Sequence, residues 1–212
     1  TRYYLNGIYL HAAKRDKTAV LRAVATDGHR LASVEVPLPK GAAGMPGIIV
    51  PRKTVTEMHK LIEDGDGDVE IGVSEAKIRF AFADAELTSK LIDGTFPDYE
   101  RVIPTGNDKD LDVGRQGFTD AVDRVSAISS EKSRAVKLKL GKNILELSAT
   151  SPENGSASEE IEVAYKGPAI EIGFNARYLL DIAQQMTGDT IRLSMADAAS
   201  PTALFTIGAV LA

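Results

Sequence analysis

The amino-acid sequence predicts an α+β protein built from two like domains in tandem. Three observations carry that reading. Segments with period-two alternation outnumber those with helical periodicity. The helices stand between antiparallel hairpins rather than alternating one-for-one with strands. One supersecondary unit also occurs twice, first from Ile48-Ile49-Val50-Pro51 to near Ile92, then from Ile170-Glu171-Ile172-Gly173-Phe174-Asn175 to near Ile207. Each copy runs from an apolar strand into a helix-starting residue, an amphipathic helix, a Gly-Asp turn and two further strands. The turns are Gly65-Asp66-Gly67-Asp68-Val69 and Gly188-Asp189-Thr190-Ile191. A spacing of roughly 120 residues belongs to tandem domains, because solenoid repeats are much shorter.

The elements follow in order. A hairpin is predicted over 7–11 and 20–26. A helix covers 51–63, with Pro51 at the first helical position and Val55, Met58 and Ile62 on one face. Strands follow at 70–73 and 77–82. The polar, turn-rich run Pro104-Thr105-Gly106-Asn107-Asp108 marks the junction, giving domains 1–104 and 105–212. The second domain opens with a strand at 111–113 and a helix over 116–129 that carries Phe118, Ala121, Val122, Val125 and Ile128 at helical spacing. A hairpin over 135–140 and 143–150 leads to a polar loop at 151–158 and a strand at 161–163. Asn175 then caps a third helix bearing Tyr178, Leu179, Ile182, Ala183 and Met186, with Gly188 placed to end it and a strand at 191–193.

The two copies differ at their starts. The second has a strand and helix before its hairpin, whereas only Thr1 to Asn6 precede the first hairpin. The expectation is a chain that starts inside a domain, hence a fragment. The first domain is then expected to expose apolar surface and to be the less stable half, leaving the chain marginal or self-associating.

Composition narrows the chemistry. The chain has 212 residues, 43% hydrophobic and 26% charged, which is enough for two small cores. It has no apolar run of about 18 residues and no signal-peptide core. With no cysteine there is no disulfide, thiolate metal site or cysteine nucleophile. The three histidines, His11, His29 and His59, lack metal-ligand spacing. A net charge of −5 argues against gripping nucleic acid through overall charge.

Thr26-Asp27-Gly28-His29-Arg30-Leu31 is the densest polar cluster. One reading is catalytic, a small hydrolase or transferase using His29 with Asp27. The other is a β-turn, with Asp27 bonding its own backbone and Gly28 supplying positive φ. Phe96-Pro97-Asp98-Tyr99 reads as a second turn, with Phe96 packed on the domain edge and Pro97 as a rigid wall. Arg2-Tyr3-Tyr4 combines a cation with two aromatics, a set that stacks on bases or simply divides between core and solvent.

In their order and spacing these clusters resemble the bacterial sliding clamp family, the beta subunit of DNA polymerase III. The resemblance rests on Thr1-Arg2-Tyr3-Tyr4-Leu5-Asn6-Gly7, Ala25-Thr26-Asp27-Gly28-His29-Arg30-Leu31, Val50-Pro51-Arg52-Lys53, Thr88-Ser89-Lys90-Leu91-Ile92-Asp93-Gly94, Phe96-Pro97-Asp98-Tyr99 and Ile172-Gly173-Phe174-Asn175. It implies a DNA-clamp fold with inner helices and outer sheets, this chain holding most of a middle and a last domain. It implies a peptide-docking groove formed by Leu5, Thr26, Gly28, His29, Arg30, Leu31, Pro97, Arg101 and Val102 with Asn175, Tyr178, Ala199 and Pro201. It also implies DNA contact through Arg2, Tyr3 and Tyr4.

The resemblance further implies a non-enzymatic processivity factor of the cytoplasm. It needs no cofactor or metal and has no membrane partner. Its hold on double-stranded DNA is weak and topological, and its partners are polymerase and clamp-loader subunits bearing short motifs. The full-length form is a homodimeric ring. The helix cations Arg52, Lys53, Lys60, Arg124, Lys132, Arg134 and Arg177 suit loose contact with DNA. The segment Thr206-Ile207-Gly208-Ala209-Val210-Leu211-Ala212 departs from the family, whose last strand ends Met-Pro-Met-Arg-Leu or similar and closes the groove floor.

Overall fold

The computed structural model describes residues 2–63, 67–82, 85–129 and 134–207. Gly65 and Asp66 of the first predicted turn, Lys132 and the 208–212 segment lie outside the described residues. The chain divides into two compact units, Thr1–Asp98 and Tyr99–Ala212.

Unit 1 opens with a 3-10 turn, Tyr3–Leu5. The strands β1 (Gly7–Arg15), β2 (Thr18–Thr26), β3 (Leu31–Pro37) and β4 (Ile48–Pro51) form one antiparallel sheet in the order β3-β2-β1-β4. Strand β4 passes straight into α1 (Arg52–Ile62), which packs on β1 and β4. A second sheet follows, β5 (Glu70–Val73), β6 (Lys77–Phe82) and β7 (Ala85–Lys90). Past β7 the chain returns to the first sheet, where the Ile92 N–H donates to the Ile49 carbonyl at 2.9 Å. Ile48, Val50 and Ile78 are buried together, with Leu10, Val55, Phe80 and Leu91 packed around them.

Unit 2 repeats this plan with two elements in front. A 3-10 turn (Tyr99–Val102) leads to β8 (Lys109–Gly114) and α2 (Arg115–Ser126). Then β9 (Ala135–Gly141), β10 (Ile144–Ser151), β11 (Gly155–Glu162) and β12 (Ile170–Asn175) form an antiparallel sheet in the order β11-β10-β9-β12. Helix α3 (Ala176–Gln185) follows β12 directly, and β13 (Thr190–Met195) pairs with β8 on one side and β14 (Ala203–Thr206) on the other. The alternation in β9 and β10 is regular because one face meets the helices: Val136, Leu138, Leu140, Leu145 and Leu147 are all buried. Phe118, Ala121, Val122 and Val125 of α2 close over that face, with Leu179 and Ala176 of α3 beside them.

Several sequence expectations need correction. The units part between Asp98 and Tyr99, ahead of the polar 104–108 run. That run is sewn into unit 2: the Asn107 amide donates to the carbonyls of Ser194 (2.7 Å) and Pro201 (3.1 Å), and the Asp108 N–H to Met195 (3.1 Å). Pro51 is the N-cap of α1, not its first helical residue, because its ψ of 142° still belongs to the strand. Ile62, expected on the apolar face of α1, is 42% exposed in the helix's last turn. Helix α3 stops at Met186, whose ψ of 138° is extended, and Gly188 (φ 85°) makes the turn that follows. The polar stretch 151–158 is mostly strand. Backbone ladder bonds hold Gly155 to Ser158 against Ser151 to Ser148, so the sheet forms without apolar side chains there.

The Asn175 cap is as expected, its side chain accepting from the Arg177 N–H at 3.0 Å. Helix α2 has no side-chain cap. Its start is held instead by Arg115, whose N–H donates to Asp189 (2.7 Å) and whose Nε donates to Gly188 (2.8 Å). No helix among the described residues is long and apolar enough to cross a membrane.

Removing the Phe118 ring is expected to cost about 3–5 kcal/mol in urea unfolding, as for a large buried aromatic. Amide exchange is expected to be slower in α2, α3, β9 and β10 than in α1 and β5. Equal protection of α1 and α3 contradicts this ordering.

Candidate docking site

The Thr26–Leu31 segment of unit 1 is a tightly bonded turn. The Thr26 hydroxyl donates to the Arg30 carbonyl at 2.8 Å and accepts from the Gly28 N–H at 3.1 Å. Asp27 Oδ1 accepts from the N–H groups of His29 (2.9 Å) and Arg30 (3.0 Å), and its Oδ2 accepts from Arg30 Nε at 3.1 Å. Gly28 takes φ 90°, a conformation that only glycine adopts freely. Burial pushes the Asp27 carboxyl up, but the His29 and Arg30 amides and the Arg30 guanidinium outweigh it and leave its pKa below the ordinary carboxylate value. A hydrolase or transferase built on His29 needs the Asp27 carboxylate to orient the imidazole. Both Asp27 oxygens hold the backbone and Arg30, the bonding that the β-turn reading expects.

The other expected unit 1 residues are placed by neighbouring packing. Leu5 is half-buried at the end of the 3-10 turn, where its N–H donates to Arg2 at 3.0 Å. Asn6 accepts from the Arg52 N–H at 3.1 Å, joining that turn to α1. Phe96 is buried and stacks on Tyr9 with centroids 4.9 Å apart, and Tyr9 in turn stacks on His11 at 4.6 Å. That anchor leaves Pro97 exposed beside it. Leu31 and Arg30 are half-buried, and His29 and Gly28 are exposed. Arg2 is exposed, Tyr3 is 62% exposed and Tyr4 is half-buried, the two rings meeting edge to face at 5.7 Å.

In unit 2, Tyr99 is buried and holds the 3-10 turn that exposes Arg101 and Val102. Asn175 and Tyr178 are half-buried at the start of α3. Ala199 and Pro201 are exposed on the β13–β14 connection, which is ordered by Asp197. Its Oδ1 accepts from the Ala199 and Ser200 N–H groups, each at 2.8 Å, and its Oδ2 accepts from the Ser200 hydroxyl at 2.8 Å. The Ser200 hydroxyl and the two amides hold the Asp197 pKa below its usual value. Sequence reasoning missed Asp197 and Asn107; the Asp-x-Ala-Ser spacing was the available signal for the first. A shallow cavity of about 400 Å³ opens beside Gly173, with Lys137, Ser148, Thr150, Glu171 and Ala198 on its walls.

The basic residues are less free than their number suggests. Arg124 donates through Nε to Glu159 at 3.0 Å, and Lys60 pairs with Glu57 at 3.2 Å. Arg52, Lys53 and Arg177 are exposed. Among the described residues no group of His, Asp or Glu could hold a metal ion.

Two α+β units of like plan, each laying a helix over a four-stranded sheet, fit the DNA-clamp class. The description "DNA polymerase III beta subunit, central domain" matches residues 1–98, and "DNA polymerase III beta subunit, C-terminal domain" matches residues 100–210. The chain belongs to the DNA polymerase III beta subunit family. It is 54% identical over 202 residues to the beta sliding clamp of Caulobacter vibrioides, covering 95% of this chain and 54% of that protein. To the Escherichia coli K12 beta sliding clamp it is 38% identical over 199 residues, covering 94% and 53%. The crystal structure of a Bartonella birtlesii sliding clamp bound to griselimycin superposes with a TM-score of 0.92 at 53% identity, covering 96% of this chain and 55% of that one. The chain thus spans about half the length of the relatives it matches.

The Asp27 turn generates a pH prediction. Its folded pKa is depressed, so its contribution to stability is present above the unfolded value of about 4 and is lost as pH falls through the lowered folded value. Asp27→Ala is expected to cost about 1 kcal/mol at neutral pH. The gap between wild type and variant in urea melts should shrink on acidification below that window. A gap independent of pH contradicts the assignment.

Proposed function

We propose that this chain supplies the central and C-terminal-domain portions of a sliding clamp, a non-enzymatic processivity factor of bacterial DNA replication. The observation that carries the reading is the ordered pair of domain matches over residues 1–98 and 100–210. The Asp27 carboxylate accepts from the His29 and Arg30 amides and from the Arg30 guanidinium, which suits a structural turn. In this reading the full-length protein is a homodimeric ring in the cytoplasm that holds double-stranded DNA topologically. Loose contact suits sliding, since each firm phosphate contact would slow movement along the duplex. The net charge of −5 and the neutralised Arg124 agree with weak DNA contact.

Polymerase and clamp-loader subunits dock through short motifs ending in apolar residues. Leu5, Leu31, Pro97 and Val102 are the apolar residues for those anchors. Arg101, Asn175, Tyr178 and the Thr26-Gly28-His29-Arg30 turn offer polar groups, with Ala199 and Pro201 as small walls. Pre-ordering of both turns by Asp27 and Asp197 lowers the entropy cost of binding. No cofactor is required.

Titration with a Gln-Leu-x-Leu-Phe type peptide is expected to give a dissociation constant of about 1 μM, or about −8 kcal/mol. Leu31→Ala or Pro97→Ala should weaken it about tenfold, a loss typical of an anchor contact, while Glu153→Ala should leave it unchanged. Absence of motif-dependent binding by a folded sample defeats the docking assignment for this chain. The same titration on the full-length parent then tests the family-level reading separately.

Duplex binding is expected to be weak, independent of sequence and steeply salt-dependent, with Arg2, Tyr3 and Tyr4 as the contacts. Tight binding of one sequence at physiological salt, or hydrolysis of the nucleic acid, overturns the proposal.

A further inference from the structure

The connection that follows β7 is pinned at two points. The Ile92 N–H donates to the Ile49 carbonyl of β4 at 2.9 Å. The buried Phe96 ring stacks on Tyr9 of β1, the two planes only 8° from parallel. Tyr9 and Ile49 are themselves a ladder pair, so both pins sit at one place on the sheet. Asp93, Gly94 and Thr95 span the gap between them as an exposed crest. Gly94 stands at its centre, and a span this short between two fixed ends has little room to move.

The 3-10 turn Tyr3–Leu5 is tied to the same two strands. Its N–H groups close on the turn itself, Leu5 donating to Arg2 and Asn6 to Tyr3, each at 3.0 Å. The Asn6 carbonyl accepts from the Arg52 N–H where β4 becomes α1, and Gly7 is the ladder partner of Pro51. The turn lays both tyrosines on the crest. A β-carbon on Gly94 would stand 3.2 Å from Tyr4 Cβ and 3.6 Å from both Cε2 and the hydroxyl oxygen of Tyr3. Unlike Gly28, Gly94 does not take positive φ, so the backbone there is open to any residue. What position 94 lacks is room, because the tyrosines fill it. On that floor the Tyr3 ring stays 62% exposed while meeting Tyr4 edge to face, the planes 75° apart.

We propose that Gly94 is the positioning residue of the Tyr3–Tyr4 pair: it is the floor that fixes where the Tyr3 ring projects and hence how that ring meets a DNA duplex. The proposal rests on the reading that Arg2, Tyr3 and Tyr4 contact DNA. An exposed tyrosine free to turn about its side-chain bonds loses that freedom when it is contacted. A ring already held between the Gly94 backbone and the edge of Tyr4 loses less. A weak, sequence-independent contact gains most from this, having few other groups to share the cost. The close approach at position 94 is to Tyr4 Cβ, one bond from the backbone, which cannot swing aside as a side-chain tip can. Adding a β-carbon there therefore obliges the turn to shift by a few tenths of an ångström, and the Tyr3 ring with it. A longer side chain takes the place of the Tyr3 ring.

Fluorine NMR of the whole chain labelled with 3-fluorotyrosine, together with duplex binding by fluorescence anisotropy at low salt, tests this. Gly94→Ala is expected to move the Tyr3 and Tyr4 resonances and to leave those of Tyr165 and Tyr178 in place. It should weaken duplex binding about threefold, the loss of one ordinary contact. The slope of log affinity against log salt should not change, because Arg2 and the other cations are untouched. Gly94→Leu should weaken binding as far as Tyr3→Ala does. Gly106→Ala, whose β-carbon meets nothing within 4 Å, should alter neither readout. In a chain already carrying Tyr3→Ala and Tyr4→Ala, Gly94→Ala should have no further effect on binding. If Gly94→Ala does not fold by circular dichroism, the wild type replaces it: Gly94 Hα should show nuclear Overhauser contacts to both rings and shift when duplex is added, and absence of either overturns the proposal. Unmoved Tyr3 and Tyr4 resonances overturn it, as does binding indifferent to Gly94→Ala in a chain where Tyr3→Ala weakens it. Binding indifferent to the double tyrosine substitution overturns the DNA-contact reading, and the proposal falls with it. That outcome is told apart by Tyr3 and Tyr4 resonances that still move in Gly94→Ala.

Discussion

Each four-stranded sheet in this protein has one face that must be kept from water, and a helix stripe laid across it is the means. Unit 2 meets that demand with two helices. Phe118, Ala121, Val122 and Val125 of α2 and Leu179 of α3 are all buried over β9, β10 and β12. At about 25 cal/mol per Å² of apolar surface, such a stripe accounts for much of what holds a small domain together. Unit 1 has α1 over β1 and β4, and the valines of β3 lie outside its reach. The contrast explains why like sequence patterns give a continuous core in one unit and a small cluster around Ile48, Val50 and Ile78 in the other.

The exposed turns follow a different logic. Asp27 and Asp197 each bind two successive amides through one carboxylate oxygen and a neighbouring side chain through the other. A carboxylate committed in this way is held ionised and is unsuited to taking up a proton as a base. It is well suited to keeping a loop in one conformation, so that neighbours such as Leu31 and Pro201 are presented without further ordering. A turn ordered in advance in this way loses little further entropy if it is contacted.

Much of the architecture was legible because its signals are local. The Phe118-to-Val125 spacing shows as a helical stripe, and Asn175 can be recognised as a cap from its place between an apolar strand and an amphipathic run. The alternation of Val136, Leu138 and Leu140 likewise reports a half-buried strand. The errors fell where a distant partner decides the outcome. Polar Gly155 to Ser158 form a strand because β10 lies alongside, and Pro51 stays extended because Gly7 pairs with it. The 104–108 run looks like a linker until Asn107 is seen bonding Ser194 and Pro201. Of the site, the turn residues were readable in sequence. Asp197 left a local signal in its Asp-x-Ala-Ser spacing, whereas Asn107, which bonds the distant Ser194 and Pro201 carbonyls, left none.

By itself the sequence determined the fold class, the duplication, the helix stripes and the turn chemistry around Asp27, since each depends on periodicity or on residues a few positions apart. It also carried the family resemblance, which is a matter of ordered motifs. Only the tertiary structure decided where the units divide, which apolar residues are covered and which carboxylates are engaged. Ile62 looks like a core residue in sequence, yet its burial depends on whether another element lies above it, and Glu35 is neutralised by an arginine on a neighbouring strand. Burial, pairing and charge neutralisation are properties of neighbours in space, and the chain's own order does not fix who those neighbours are.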